Sequence, residues 1–126
     1  PVSGYSVTIP HKEAAAALAK EAEPDVTTAG AANTLVRQSD GSFFAANTDY
    51  SAALTSLKEH VKDQTNEDGS PRAVGKLFVL VLGAGGAARA VAHALHAEGA
   101  HVTIASRTEE RAKTLAAEVG CRYVDW

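Results

Sequence analysis

The sequence predicts an α/β protein. A small, mixed α/β part comes first, and a parallel, doubly wound sheet that stops short follows it. Three observations predict this. An all-apolar run, LFVLVL at 77–82, leads straight into a glycine turn, GAGGAA at 83–88. After the turn, helix-like and strand-like stretches alternate, which builds a parallel sheet with helical crossovers. Before it, short apolar runs such as YSVTI at 5–9 and SFFAANT at 42–48 alternate with helical stretches, and a polar Gly/Pro segment, DQTNEDGSPRAVGK at 63–76, divides the halves.

The elements follow in order. YSVTI reads as a short strand. Residues 11–22 read as a helix: Pro10 suits a first turn, where its missing N–H has no partner to lose, and the alanine-rich run from Ala14 to Ala19 continues it. Pro24 then closes it off. AANTLVR and SFFAANT flank a turn at Ser39-Asp40-Gly41, as in a hairpin. Asp49 to Val61 reads as a helix with Ala53, Leu54, Leu57 and Val61 on one face. These elements make a first domain, 1–62. Residues 63–76 read as a linker, and 77–126 as a second domain.

In that second domain LFVLVL reads as a strand buried on both faces. A helix over 88–98 stops at Gly99. HVTIAS is the next strand, Thr108 to Val119 the next helix, stopped by Gly120, and RYV opens a third strand. A doubly wound sheet needs more strands than these to cover both faces, so the second domain is expected to be incomplete at its C-terminal side. The open sheet edge predicts some self-association.

Composition narrows the function classes. Hydrophobic residues make up 45% and charged residues 21%, a globular rather than disordered balance. A net charge of -3 gives no electrostatic reason to expect nucleic acid. No apolar run approaches the roughly 20 residues of a membrane span. The start, PVSG, lacks Met and reads as no signal peptide. The single cysteine, Cys121, excludes an internal disulfide and fits a reducing, cytoplasmic setting. His93 and His96 lie three apart on a helix with no third ligand in view, so no metal is expected.

The turn Gly83-Ala84-Gly85-Gly86-Ala87-Ala88 fits G-x-G-x-x-A between a strand and a helix, the context this dinucleotide fingerprint needs. Gly83 permits the tight turn, Gly85 lets a pyrophosphate reach the backbone, and Ala88 lets helix and strand pack closely. The free N–H groups of the helix start would face the phosphates. The second domain is therefore expected to be of Rossmann type. NAD-binding versions usually end the second strand on Asp or Glu. This chain has Ser106-Arg107-Thr108 there, with Arg111 one helical turn on. Arg offers a planar fork of donors to a 2′-phosphate that a carboxylate would repel, so the expected cofactor is NADP.

In the first domain, Thr8 and Lys12, Asn33-Thr34, and Asn47-Thr48-Asp49 all lie at ends of apolar segments, where α/β folds bind ligands. Asn and Asp suit a small molecule rich in hydroxyls. Lys12 with Asp49 suits proton transfer at an alcohol or carbonyl. The residues taken singly allow another reading, in which Asp49 caps a helix, Asn33 and Asn47 serve turns, and Lys12 is solvated.

Together the pieces resemble the shikimate dehydrogenase family. G-x-x-V-T-x-P-x-K is matched by Gly4, Val7, Thr8, Pro10 and Lys12, and G-A-x-N-T by Gly30, Ala31, Asn33 and Thr34. N-T-D is matched by Asn47, Thr48 and Asp49, the glycine turn by 83–87, and R-T-x-x-R-A by Arg107, Thr108, Arg111 and Ala112. The resemblance implies reversible NADP-dependent reduction of 3-dehydroshikimate to shikimate, a step of chorismate and aromatic amino-acid biosynthesis. It implies Lys12 and Asp49 as the catalytic pair and Thr8, Asn33 and Asp49 as substrate ligands. Gly83, Ala84, Gly85, Gly86, Ala87, Ser106, Arg107, Thr108 and Arg111 would bind the cofactor. Ala52 stands where the family has a glycine after N-T-D, and Ser106 where it has Asn. Family members are longer, with an upstream strand whose serines hold the substrate carboxylate and a downstream half that completes the sheet, so the resemblance implies that the first domain is incomplete at its N-terminal side. The chain therefore resembles a central fragment, as of a bifunctional 3-dehydroquinate dehydratase/shikimate dehydrogenase, and is expected to be inactive alone. Three alternatives stand beside this reading: an NAD-using quinate/shikimate dehydrogenase, a non-catalytic NADP-binding module, and a folate-type methylene dehydrogenase.

Overall fold

A computed structural model describes residues 2–126, which form two sheets. The first part runs β1 (Gly4–Ser6), α1 (Lys12–Leu18), β2 (Glu21–Ala22), α2 (Pro24–Ala29), β3 (Thr34–Arg37), β4 (Phe43–Ala46) and α3 (Thr48–Val61). The second runs β5 (Phe78–Leu82), α4 (Gly86–Ala97), β6 (His101–Ala105), α5 (Glu109–Val119) and β7 (Arg122–Val124). The first sheet has the order β1-β3-β4-β2 and mixes directions; the second, β5-β6-β7, is all parallel. The class is α/β with a Rossmann-like second sheet, as the alternation predicts.

The hairpin forms as its turn residues require. β3 and β4 pair antiparallel from Thr34–Ala46 to Arg37–Phe43, and Gly41 turns the chain at φ 85°. The Asp40 carboxylate accepts from both the amide and the hydroxyl of Ser42 and from Lys20 Nζ. The Ser42 hydroxyl first, then Lys20, pulls its pKa down to about 2.

The expected helix over 11–22 is a shorter helix, α1, followed by a strand, β2. Pro10 lies outside the helix, in the turn before it and after a cis Ile9–Pro10 bond, and His11 is the N-cap. α1 stops at Leu18 because Ala19 turns extended and Lys20 N donates to Phe43 O at 2.9 Å. Sheet pairing overrides the helix propensity of the alanines. Glu21 and Ala22 then pair parallel with Phe44 and Ala45. Pro24 does not end α1; it opens α2 at the first helical position, behind an extended Glu23. Gly30, left-handed at φ 62°, ends α2 by donating its N–H to Val26 O.

β5 is not buried on both faces. Val79 and Val81 register with Val102 and Ile104 on the face packed by α4 and α5, where Ala92, Leu95, Ala112 and Leu115 complete the core. Phe78, Leu80 and Leu82 point the other way and are 86%, 56% and 65% exposed. The strands step in one direction, β5-β6-β7, so the right-handed crossover rule puts both helices on one face, and Phe78, Leu80 and Leu82 stay exposed on the other.

Residues 63–76 are folded, and their end packs against α3 and α4. Thr65 and Pro71 form a bridge, Val74–Lys76 make a 3-10 turn, and Val74 is buried in one core with Val61, Ile104 and Leu115. α3 packs along α4 and adds Leu54 and Leu57 to that core. Ala15, Val26, Ala32, Leu35 and Ala45 form a separate core beneath the first sheet. Arg89 of α4 ties the two halves, with Nε donating to Ala29 O at 2.8 Å while its guanidinium pairs with Glu118 of α5.

Candidate active site

Lys12 opens α1, and its own carbonyl accepts the Ala32 N–H at 2.8 Å. Its Nζ donates to Asp49 Oδ2 at 2.5 Å, with the two side chains only 14% and 28% exposed. Asp49 is the second residue of α3, and its N–H donates to Asn47 Oδ1 at 3.1 Å, the N-cap bond. So Asn47, not Asp49, is the cap of this helix, and the carboxylate is left for other work. Asn47 is 1% exposed, and its Nδ2 donates to Ala31 O at 2.7 Å.

Asn33 follows that same loop. Its Nδ2 donates to Asp49 Oδ1 at 3.0 Å and to Thr48 Oγ1 at 2.8 Å; its Oδ1 accepts from Thr48 N at 3.1 Å and Thr34 Oγ1 at 3.0 Å. One Asp49 oxygen thus takes Lys12 and the other takes Asn33. Charge-assisted bonds of this kind fix a carboxylate in place.

The lysine faces the glycine turn. A cavity of about 560 Å³ is walled by Thr8, Pro10, Lys12 and Glu13 on one side and by Gly83, Gly85, Gly86 and Ala87 on the other. Asn33 and Asp49 stand behind Lys12 and are not part of this wall. Gly83 sits at φ 122°, a left-handed value that only glycine adopts freely, and its N–H donates to Ala105 O at 2.7 Å. Nothing lies within 4 Å of where a Cβ on Gly85 would be, so the backbone there is open to a ligand. α4 begins at Gly86 with no side-chain cap, which leaves its first N–H groups free for an anion.

A second cavity, about 490 Å³, continues past Gly83, Ala84 and Gly85 to Ser106, Arg107, Thr108 and Arg111. Thr108 occupies the N-cap position of α5 without a side-chain cap bond, and its N–H donates to Ser106 Oγ at 3.3 Å. Arg111 pairs with Glu13 across the cleft at 3.1 Å. Glu13 and Trp126 line these cavities, and no motif spacing singles out either. The adjacency of Glu13 to Lys12, and Trp126 being the sole tryptophan, were the available signals.

His93 and Cys121 are among the other perturbed groups. The His93 Nε2 is buried without a partner, and burial first, then Arg89, lowers its pKa from 6.5. Burial raises the Cys121 thiol. No helix among the described residues is long and apolar enough to cross a membrane.

Comparison with known proteins finds two family models along the chain. Residues 1–35 match the shikimate dehydrogenase substrate binding domain, and residues 70–125 match shikimate / quinate 5-dehydrogenase. The NADP(+) shikimate dehydrogenase of Acidiphilium cryptum is 45% identical over 124 residues, covering 98% of this chain and 41% of that protein. The chloroplastic bifunctional 3-dehydroquinate dehydratase/shikimate dehydrogenase of Arabidopsis thaliana is 38% identical over 122 residues, 94% of this chain and 20% of that protein. Among solved structures, the Thermus thermophilus shikimate 5-dehydrogenase in complex with NADP(H) and shikimate superposes with a TM-score of 0.76 at 39% identity, over 97% of this chain and 42% of that one. The chain thus spans about two fifths of the length of the single-function relatives it matches. With one model on each side of the cleft and relatives aligned through both sheets, the chain belongs to the shikimate dehydrogenase family.

Proposed function

We propose that the chain carries the reacting centre of an NADP-dependent shikimate dehydrogenase, which reversibly reduces 3-dehydroshikimate to shikimate in aromatic amino-acid biosynthesis. The observation that carries this is the Lys12–Asp49 pair, 2.5 Å apart, with Lys12 on the same cavity as the glycine turn. The open backbone at Gly85 and the uncapped start of α4 suit a pyrophosphate. Ser106, Arg107, Thr108 and Arg111 suit a 2′-phosphate. Bound NADP would supply or accept the hydride.

The chain's own residues handle the proton. In reduction, Lys12 Nζ gives a proton to the substrate oxygen as it gains negative charge; in oxidation it takes that proton back. Asp49 aims Nζ and offsets its charge, and Asn33 holds Asp49 by the second oxygen. Thr8, in the cavity wall, reaches a substrate hydroxyl. Arg111 would exchange Glu13 for the 2′-phosphate when the cofactor arrives.

The relatives named for NADP and the lack of a carboxylate at 106 or 107 favour this over an NAD-using quinate enzyme. A cytoplasmic location and self-association through the open sheet belong to the same reading. A monomer in sedimentation at micromolar concentration would count against the self-association. Calorimetric titration tests the main claim. NADP is expected to bind the chain well ahead of NAD, and Arg111→Ala to erase the difference. Equal affinities would remove the basis for NADP.

A further inference from the structure

The phosphate logic of the motif uses the backbone of Gly86 and sets no limit on its side chain. In G-x-G-x-x-A the constrained positions are Gly83, Gly85 and Ala88, and position 86 accepts any residue. Gly86 is not among the glycines with positive φ, and it is the first residue of a 12-residue helix. Its conformation is one any residue adopts, and helix propensity would favour alanine there. What the position lacks is room. A Cβ on Gly86 would lie 2.6 Å from Lys12 Cβ, 3.2 Å from its Cδ and 3.4 Å from its Cγ. Lys12 Cβ cannot swing aside, because it is bonded to an α1 backbone that Ala32 N–H holds at 2.8 Å. The lysine stem therefore lies along the bare Cα of Gly86.

We infer that Gly86 is a positioning residue for Lys12. Its missing side chain seats the lysine stem, aims Nζ at Asp49, and lets α1 close against the glycine turn. This links the nucleotide turn to the proton-transferring group through one van der Waals contact. It rests on the proposed role of Lys12 for its catalytic consequence, while the contact can be tested without any turnover.

A double-mutant cycle in this chain reads the contact by thermal unfolding. Gly86→Ala is expected to lower the midpoint by several degrees when Lys12 is present. In a Lys12→Gly background, where the opposing Cβ is gone, the same change is expected to raise the midpoint through helix propensity. Acylation by acetic anhydride, traced by peptide mass, reads the seat. Lys12 is expected to react several-fold faster in Gly86→Ala relative to exposed Lys76, and at its usual rate in Gly85→Ala. Where turnover is measured, Gly86→Ala is expected to lower kcat and leave the KM for NADP alone. A midpoint that rises in both backgrounds, or a Lys12 acylation rate unchanged by Gly86→Ala, would overturn the inference. If the dehydrogenase reading alone failed, the midpoints and acylation rates would keep their pattern and only the kcat effect would be missing.

Discussion

Asn47 shows what a single residue does for this site. It is 1% exposed, caps α3 through Oδ1, and donates from Nδ2 to the Ala31 carbonyl. Removing it strands a buried acceptor and a helix N–H together. Asn47→Ala is expected to cost about 2 kcal/mol in urea unfolding, within the range for a lost cap plus an unsatisfied group. Asn47→Asp keeps the cap and loses the donor, so it is expected to fall between. An Asn47→Ala chain as stable as the parent would mean the cap does not hold Asp49. The sequence motifs made Lys12, Asn33 and Asp49 legible as residues. They did not show that Asp49 spends one oxygen on each of the other two, because that depends on the register between α1, the loop before β3 and α3. Nor did spacing separate Asp49 as a cap from Asp49 as a partner; the Asn47 side chain decides it.

Proline and alanine misled at the scale of elements. A proline between two helical stretches reads equally as a stop or a start, and only the pairing of Glu21–Ala22 with β4 separates them. The physical signal was the Pro24 to Gly30 interval, a proline at a helix start and a left-handed glycine at its end. Pro24→Ala is expected to leave the helical circular dichroism unchanged and to lower stability by about 0.5 kcal/mol, through the freer unfolded chain. A clear gain in helix would restore the reading of Pro24 as a stop. Arg89 is the strut between elements, bonded to the end of α2 and to α5. Its side chain is 16% exposed, so Arg89→Ala leaves the Ala29 carbonyl and Glu118 without it. A loss of about 2 kcal/mol is expected, with Arg89→Lys recovering only part, because an ammonium cannot fork to both partners. A loss near zero would mean that the halves hold together without this strut.

The whole molecule is two cores joined across one cleft, and its fold class was legible because strand, turn and helix periods are local. The exposure of Phe78, Leu80 and Leu82 was not, since it depends on which elements cover a face. Stability should also respond to pH as a whole. His93 is pushed below 6.5 when folded, so the unfolded chain binds more protons as pH falls. The stability is full above that value and is lost as pH drops from it through the folded value. His93→Gln is expected to flatten that limb in urea midpoints across the range; an unchanged slope would contradict it. Asp40 acts in a separate window, its contribution present above 3.8 and lost as pH falls through about 2.

The most direct test of the central claim is to graft this chain in place of the matched segment of the Acidiphilium cryptum enzyme and follow NADPH formation from shikimate and NADP. The hybrid is expected to turn over, to prefer NADP and shikimate to NAD and quinate, and to lose at least about 100-fold in kcat on Lys12→Ala, as for a general acid–base, with NADP still bound. A hybrid whose Lys12→Ala variant works as fast as its parent would contradict proton transfer at Lys12.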